Sequence, residues 1–205
     1  MIEDSSQAIG MPQHVGAIMA GRIGDVGIFS FSVPKLVTTG QGGAIITDND
    51  EIAATCTELR DHGDNNWRKT RIHQKVGGNF KFNDILAAYG LSQLNDLEEL
   101  LSQRKQVFDY YREHVPIMDY GYDSTWMVIY QTSKADEIIG ALSRNNISAV
   151  KYYKPINQNT HFVDGDSYPV AERVASQLVY LPSSLSLTKD EVDTVCRVIN
   201  GVEKK

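Results

Sequence analysis

The stretch Ser30-Phe31-Ser32-Val33-Pro34-Lys35-Leu36-Val37-Thr38-Thr39-Gly40-Gln41-Gly42-Gly43 decides how this chain is read. Before it, Gly24 to Phe31 alternates as a strand does, with Val26, Ile28 and Ser30 on one side and Phe29 and Phe31 on the other. After it, Gly42 to Thr47 is a short apolar run of the kind that fills a sheet interior. Lys35 therefore sits in a restrained connection, bracketed by Pro34 and by glycines that tolerate positive φ. Upstream, Met1-Ile2-Glu3-Asp4 reads as the end of another strand, followed by the small residues Ser5 and Ser6. These segments offer an amine, a hydroxyl, a tight glycine turn and a carboxylate. Each also has a plain reading. Taken alone, Lys35 is a solvated surface lysine, Asp4 a helix N-cap, Gln7 an exposed helical glutamine and Ser30 a serine satisfied by a backbone carbonyl.

Further along, Asp48-Asn49-Asp50 offers an N-cap, and Ile52, Ala53, Cys56 and Leu59 recur at helical spacing. Residues 61–80 read as a long polar surface loop, of a length more often functional than idle. From Asn83 an apolar stripe of Ala87, Gly90, Leu94, Leu97, Leu101, Phe108 and Tyr111 predicts a helix of about thirty residues linking two regions, with a break or bend expected near Leu100 to Gln103. Beyond Pro116 the units shorten. Strands are expected at Thr125–Tyr130 and Ile147–Tyr153, and helices at Ala135–Asn145 and Tyr168–Leu178. A last helix opens at the capping box Thr188-Lys189-Asp190-Glu191 and buries Val192, Val195, Cys196 and Ile199. The division is expected near residue 105, giving domains 1–105 and 106–205.

At 205 residues the chain is long enough for a substantial core, and 41% hydrophobic with 22% charged residues is ordinary for a globular protein. A net charge of -6 without a Lys/Arg block argues against a nucleic-acid footprint. Cys56 and Cys196 are far apart and read as two small buried hydrophobes in a reducing cytoplasm. His14, His62, His73, His114 and His161 show no metal-ligand spacing. No signal peptide is seen at Glu3-Asp4, and no apolar run approaches the roughly 20 residues that cross a bilayer. The chain reads as cytoplasmic.

With Ser30, Lys35, Gly40, Gly42, Gly43 and the Glu3-Asp4-Ser5-Ser6-Gln7-Ala8 segment in place, the chain resembles the DegT/DnrJ/EryC1/StrS sugar aminotransferases, fold-type-I enzymes that use pyridoxal 5'-phosphate (PLP). The resemblance runs from Ile2 to about Val202. It implies an α/β fold, the C-terminal portion of the PLP-dependent transferase (aspartate aminotransferase-like) fold. That portion comprises part of the large mixed-sheet domain and a small α+β C-terminal domain. It further implies that Lys35 bonds to the cofactor aldehyde and later shuttles a proton, and that Asp4 pairs with the pyridine nitrogen. By the same resemblance Gln7 lies near the cofactor ring and Ser30 donates to its phosphate. Asn79, in Gly77-Gly78-Asn79-Phe80-Lys81-Phe82, reaches the phosphate in a partner subunit's site, although from residue physics alone a turn asparagine is preferred.

The implied reaction is amino transfer from glutamate to a nucleotide-linked 4-keto-6-deoxy sugar by a homodimer, serving amino-sugar and surface polysaccharide synthesis. Asn79-Phe80-Lys81-Phe82 and Leu181-Pro182-Ser183-Ser184 look like the perosamine-synthase branch, and Lys35 argues against the dehydratase branch, which carries histidine there. Two departures stand out. Pro155-Ile156-Asn157 replaces a frequent Pro-Leu-His run, leaving Tyr152, Tyr153 and Lys154 to line a sugar or phosphate. Family members also begin well over a hundred residues before the equivalent of Asp4. The alternative function is therefore a C-terminal piece acting only as an association module, with weak PLP binding and self-association expected of the chain alone.

Overall fold

The computed structural model describes residues 1–12, 18–119, 126–162 and 165–204. The chain falls into two compact units, Met1–Leu101 and Ser102–Lys205. The first unit is built on a three-stranded sheet in the order β1 (Ile2–Asp4), β2 (Val26–Ser30), β3 (Gly43–Ile46). β1 runs parallel to β2 with Asp4 opposite Ile28, and β2 runs antiparallel to β3 with Ser30 opposite Gly43. Residues paired across strands share a face. Ile2, Asp4, Ile28, Ser30 and Ile45 thus lie on one side, and Glu3, Gly27, Phe29 and Ile46 on the other. The first face is largely uncovered, with Ile2 69% and Ile45 54% exposed.

Helix α1 (Asp50–Arg60) starts at Asn49, whose side chain accepts from the amides of Glu51 (2.9 Å) and Ile52 (3.1 Å). The segment after it, expected as loop throughout, holds the short helix α2 (Trp67–Thr70) and returns to pair Asn79 with Asp61. The long helix is two helices, α3 (Asp84–Asn95) and α4 (Leu97–Arg112). The interruption falls at Asp96, earlier than the 100–103 segment expected. The Asp96 amide turns back to Gln93 O (3.1 Å) and Leu94 O, the tightened bonding of a helix end.

The second unit packs the later part of α4 with β4 (Val128–Gln131), α5 (Ala135–Arg144), β5 (Leu178–Leu181) and α7 (Lys189–Glu203) around one apolar core. Phe108, Tyr111, Val128, Ile138, Leu142, Val179, Val192 and Ile199 are essentially inaccessible there. The capping box is present, with Glu191 N–H donating to Thr188 Oγ1 and Thr188 N–H to Glu191 Oε2, and all four residues expected on the inner face of α7 are buried. Cys196 is one of them, and burial together with the Asp193 charge pushes its thiol up to about 11.

Two expectations are corrected. Residues 147–153 form no strand: Val150 alone bridges Tyr180, while Tyr152 and Tyr153 turn their rings against that same tyrosine, each 5.9 Å away. Helix α6 (Pro169–Gln177) stops short of Leu178, which takes extended backbone and starts β5 against Gln131. Thr125 lies outside the described residues.

Ile138, fully buried, should cost about 2–5 kcal/mol on replacement by Ala, the range for emptying a packed core position. Urea unfolding should show a lower midpoint for the second unit's transition, and an unchanged midpoint would mean that the core is loosely packed.

Candidate active site

Parallel pairing of β1 and β2 brings Asp4 and Ser30 to the carboxyl end of the same sheet, the end where open α/β sheets bind ligands. Lys35 follows five residues after Ser30, in a loop closed on itself by backbone bonds. Phe31 N–H donates to Gly42 O (2.9 Å), Thr39 N–H to Phe31 O (2.9 Å), and Lys35 N–H to Ser32 O (3.0 Å). Ser30 Oγ donates to Ser32 Oγ at 3.1 Å, so Ser32, expected to be only structural, orients the hydroxyl of Ser30.

The Lys35 amine and the Asp4 carboxylate feel each other's charge. Partial burial pulls the Lys35 amine below the usual lysine value, and the Asp4 charge works against that pull. The Asp4 carboxyl is held below its usual range, first by the hydroxyl and amide of Ser6 and then by Lys35. The Ser6 amide donates to Asp4 Oδ1 at 3.1 Å across a turn, and no helix follows Asp4 among the described residues, so its capping role is confined to that turn. Gln7 sits exposed in the same turn. Asn79 is exposed on the segment paired with the end of α1, where its neighbour Phe80 donates to Arg60 O at 3.0 Å.

Several positioning residues are not evident from the motif. Gln93 of α3 clamps Thr38 at both backbone groups, accepting from its N–H at Oε1 (3.0 Å) and donating from Nε2 to its C=O (2.6 Å). Thr39, buried, donates through Oγ1 to Gln41 O (2.6 Å). Its methyl packs where a side chain at Gly90 would stand, 2.9 Å from an added Cβ. Gly42 has φ +127°, and a Cβ there would lie 2.6 Å from the ring of Phe82, so only glycine fits the turn. The signal for Gln93 was a polar residue three positions after Gly90 on an otherwise apolar stripe. On the opposite sheet face, Glu3 accepts from the amides of Gly21, Ile23 and Gly24 and anchors the loop that leads into β2, which lowers its carboxyl.

An amine partly withdrawn from water, a carboxylate within its electrostatic reach and a hydroxyl on the last residue of a strand fit the groups of PLP: an aldehyde, a protonated ring nitrogen and a phosphate. No cluster of metal-binding residues and no helix long and apolar enough to cross a membrane occurs among the described residues.

The family model of the DegT/DnrJ/EryC1/StrS aminotransferases matches residues 1–200, and the chain belongs to that family, whose members are PLP-dependent. It is 26% identical over 211 residues to the GDP-perosamine synthase of Escherichia coli O157:H7, covering 98% of this chain and 57% of the relative. It is 28% identical to the UDP-N-acetyl-3-dehydro-alpha-D-glucosamine 3-aminotransferase of Acidithiobacillus ferrooxidans, covering 97% of this chain and 56% of that protein. A crystal structure of a DegT DnrJ EryC1 StrS aminotransferase from Brucella abortus superposes with TM-score 0.87 at 28% identity, over 100% of this chain and 57% of that one. The chain thus has the fold of PLP-dependent sugar aminotransferases and spans little more than half the length of these relatives.

Because the Asp4 charge holds the proton on Lys35, Asp4→Asn should lower the Lys35 pKa further and speed its acetylation at pH 8. Competitive labelling read by mass spectrometry across pH checks this, and a labelling midpoint that stays put or rises in Asp4→Asn would show that the two groups do not share a site.

Proposed function

We propose that this chain supplies the lysine side of a PLP-dependent aminotransferase that moves an amino group from glutamate to a nucleotide-linked 4-keto-6-deoxy sugar, in the cytoplasm and as a homodimer. The observation that carries this reading is the electrostatic pairing of Lys35 with Asp4 at the strand end that also bears Ser30. The family and the sugar substrates in the relatives' names support the reaction class. The perosamine-like choice of sugar rests on Asn79-Phe80-Lys81-Phe82, Leu181-Pro182-Ser183-Ser184 and the Escherichia coli relative.

Residues 1–105 belong in this reading to the cofactor-binding domain and 106–205 to the small α+β domain. PLP bound here would supply the electron sink for a carbanion. The chain's own groups do the rest. Lys35 loses its proton more readily than a solvated lysine, which frees its amine to bond to a carbonyl carbon and afterwards to carry a proton. Asp4, held ionised, keeps a ring nitrogen protonated. Ser30 donates to phosphate, Gln7 flanks the ring, and Asn79, on an exposed segment, reaches a second subunit.

Lys35→Ala should abolish borohydride trapping of PLP on the protein and lower amino transfer by at least about 10²–10⁴-fold, the scale of losing a positioned proton carrier. Trapping at another lysine, or full transfer by the variant, would sink the assignment.

A second reading, an association module, is favoured by the exposed apolar face bearing Ile2 and Ile45. Light scattering should then show concentration-dependent association that Ile45→Lys weakens; a monomer at all concentrations excludes it.

A further inference from the structure

The second unit, which holds none of Asp4, Ser30 and Lys35, carries a charged cleft of its own. Asp193, Arg197, Asn200 and Gly201 of α7, with Lys204 at its end, recur at steps of four, three, one and three, so they share one helix face. Together with His114 they line a cleft of about 510 Å³, a size typical of small-molecule sites. His114 follows α4 and is held to α7 at two points. Asn200 Nδ2 donates to its carbonyl at 3.4 Å, and its Nε2 lies 3.1 Å from Asp193 Oδ1. That carboxylate oxygen is shut off from water, and its tie to the ring is one of charge rather than of an aligned hydrogen bond.

The charges in the cleft do not cancel. Asp193 stands four residues before Arg197, the spacing of a helical ion pair, yet its partner is His114. Arg197 and Lys204 form no ion pair among the described residues. The acids nearby are committed elsewhere: Glu113 pairs with Lys189 at 3.2 Å, and Glu203 accepts from Thr132 at 2.6 Å and Tyr130 at 3.1 Å. A lysine at the end of a helix suits the negative pole of its dipole, but Arg197, nearly two turns earlier, has no such use.

Gly201 is an independent sign. Glycine is the poorest helix former after proline, and one inside a helix usually has a packing or functional reason. Packing supplies none here, because an added Cβ would meet nothing within 4 Å. The bare turn opens onto the cleft. Along the axis the Cα atoms of Arg197 and Lys204 are about 10.5 Å apart with Gly201 between them, within reach of two long side chains closing on one ligand. One cation would satisfy a carboxylate. A phosphoryl group carries up to two negative charges and accepts at once from a planar fork and a point donor, which Arg197 and Lys204 offer.

We propose that the cleft between His114 and α7 binds a phosphoryl group, as free phosphate or as the phosphate monoester of a small molecule. His114 is the natural reporter. In the full chain its ring signals, identified by their loss in His114→Gln, should shift saturably in NMR spectra on adding inorganic phosphate or glycerol 3-phosphate. Acetate and malonate at matched pH and ionic strength should shift them far less. Tighter binding of glycerol 3-phosphate assigns the cleft to an ester, and equal binding assigns it to the free ion. Arg197→Gln should weaken binding about tenfold or more, as expected for losing a charged hydrogen-bond donor. Gly201→Leu should fill the cleft and abolish the response without lowering the melting temperature, since leucine is the better helix former and its Cβ has room. Ser30→Ala, in the first unit, should leave the response intact, which separates this cleft from any phosphate held beside Lys35. A response no stronger than that to malonate, one that survives both Arg197→Gln and Gly201→Leu, or one lost in Ser30→Ala overturns the proposal. If Gly201→Leu proves unstable, Arg197→Gln, a change at an exposed position, decides alone.

Discussion

One side-chain amide ties the first unit together. Gln93 bonds to both the N–H and the C=O of Thr38, and so joins helix α3 to the loop that presents Lys35. A glutamine has one carbonyl and one NH₂ to offer, and both bond to the backbone of one residue, the NH₂ reaching Tyr89 O (3.1 Å) as well, which fixes orientation as well as distance. Thr39 settles against Gly90 one turn earlier, and Gly42 turns under the ring of Phe82 just before the same helix begins. The electrostatic pairing of Lys35 with Asp4 depends on that arrangement, which pins the backbone of the loop.

The legible part of the fold was the part written in local chemistry. The capping box at Thr188, the Asn49 cap and the buried face of α7 each depend on residues within one or two turns of one another, so spacing alone finds them. The Lys35 loop was legible for the same reason, as proline and glycine impose their restraints locally. What escaped depends on distant partners. Leu178 looked helical until its pairing with Gln131 made it a strand, and the tyrosines at 152 and 153 suggested a strand that packs its rings without forming a ladder. The break at Asp96 was misplaced because an apolar stripe reports which face is buried and carries little about where the hydrogen-bond ladder is interrupted. The bonds between Gln93 and Thr38 join residues 55 positions apart, and no short motif encodes them.

The two units are stabilised differently. Met11, Ala20 and Val37 are the buried hydrophobic residues of the first among the described residues, and its geometry rests on backbone bonds, caps and charged anchors such as Glu3. The second has a dense aliphatic and aromatic core, to which polar ties are added at its margin. Arg104 donates to the carbonyls of Trp126 and Ser183, Tyr111 to Pro182 O at 2.9 Å, and Lys134 to the last carbonyls of α7. Hydrogen bonds that exchange with water contribute little net stability, while apolar burial contributes most of it. Local opening is therefore easier in the first unit, where Asp4, Ser30 and Lys35 stand.

Cys196 turns that second core into its own clock. A thiolate is the reactive form of cysteine, and a thiol that is buried and held at about 11 exposes almost none of it at neutral pH. Any disulfide reagent must wait for α7 to lift from its bed. The rate at which the thiol is consumed thus measures how often the hydrophobic packing around it comes apart, without any label being added.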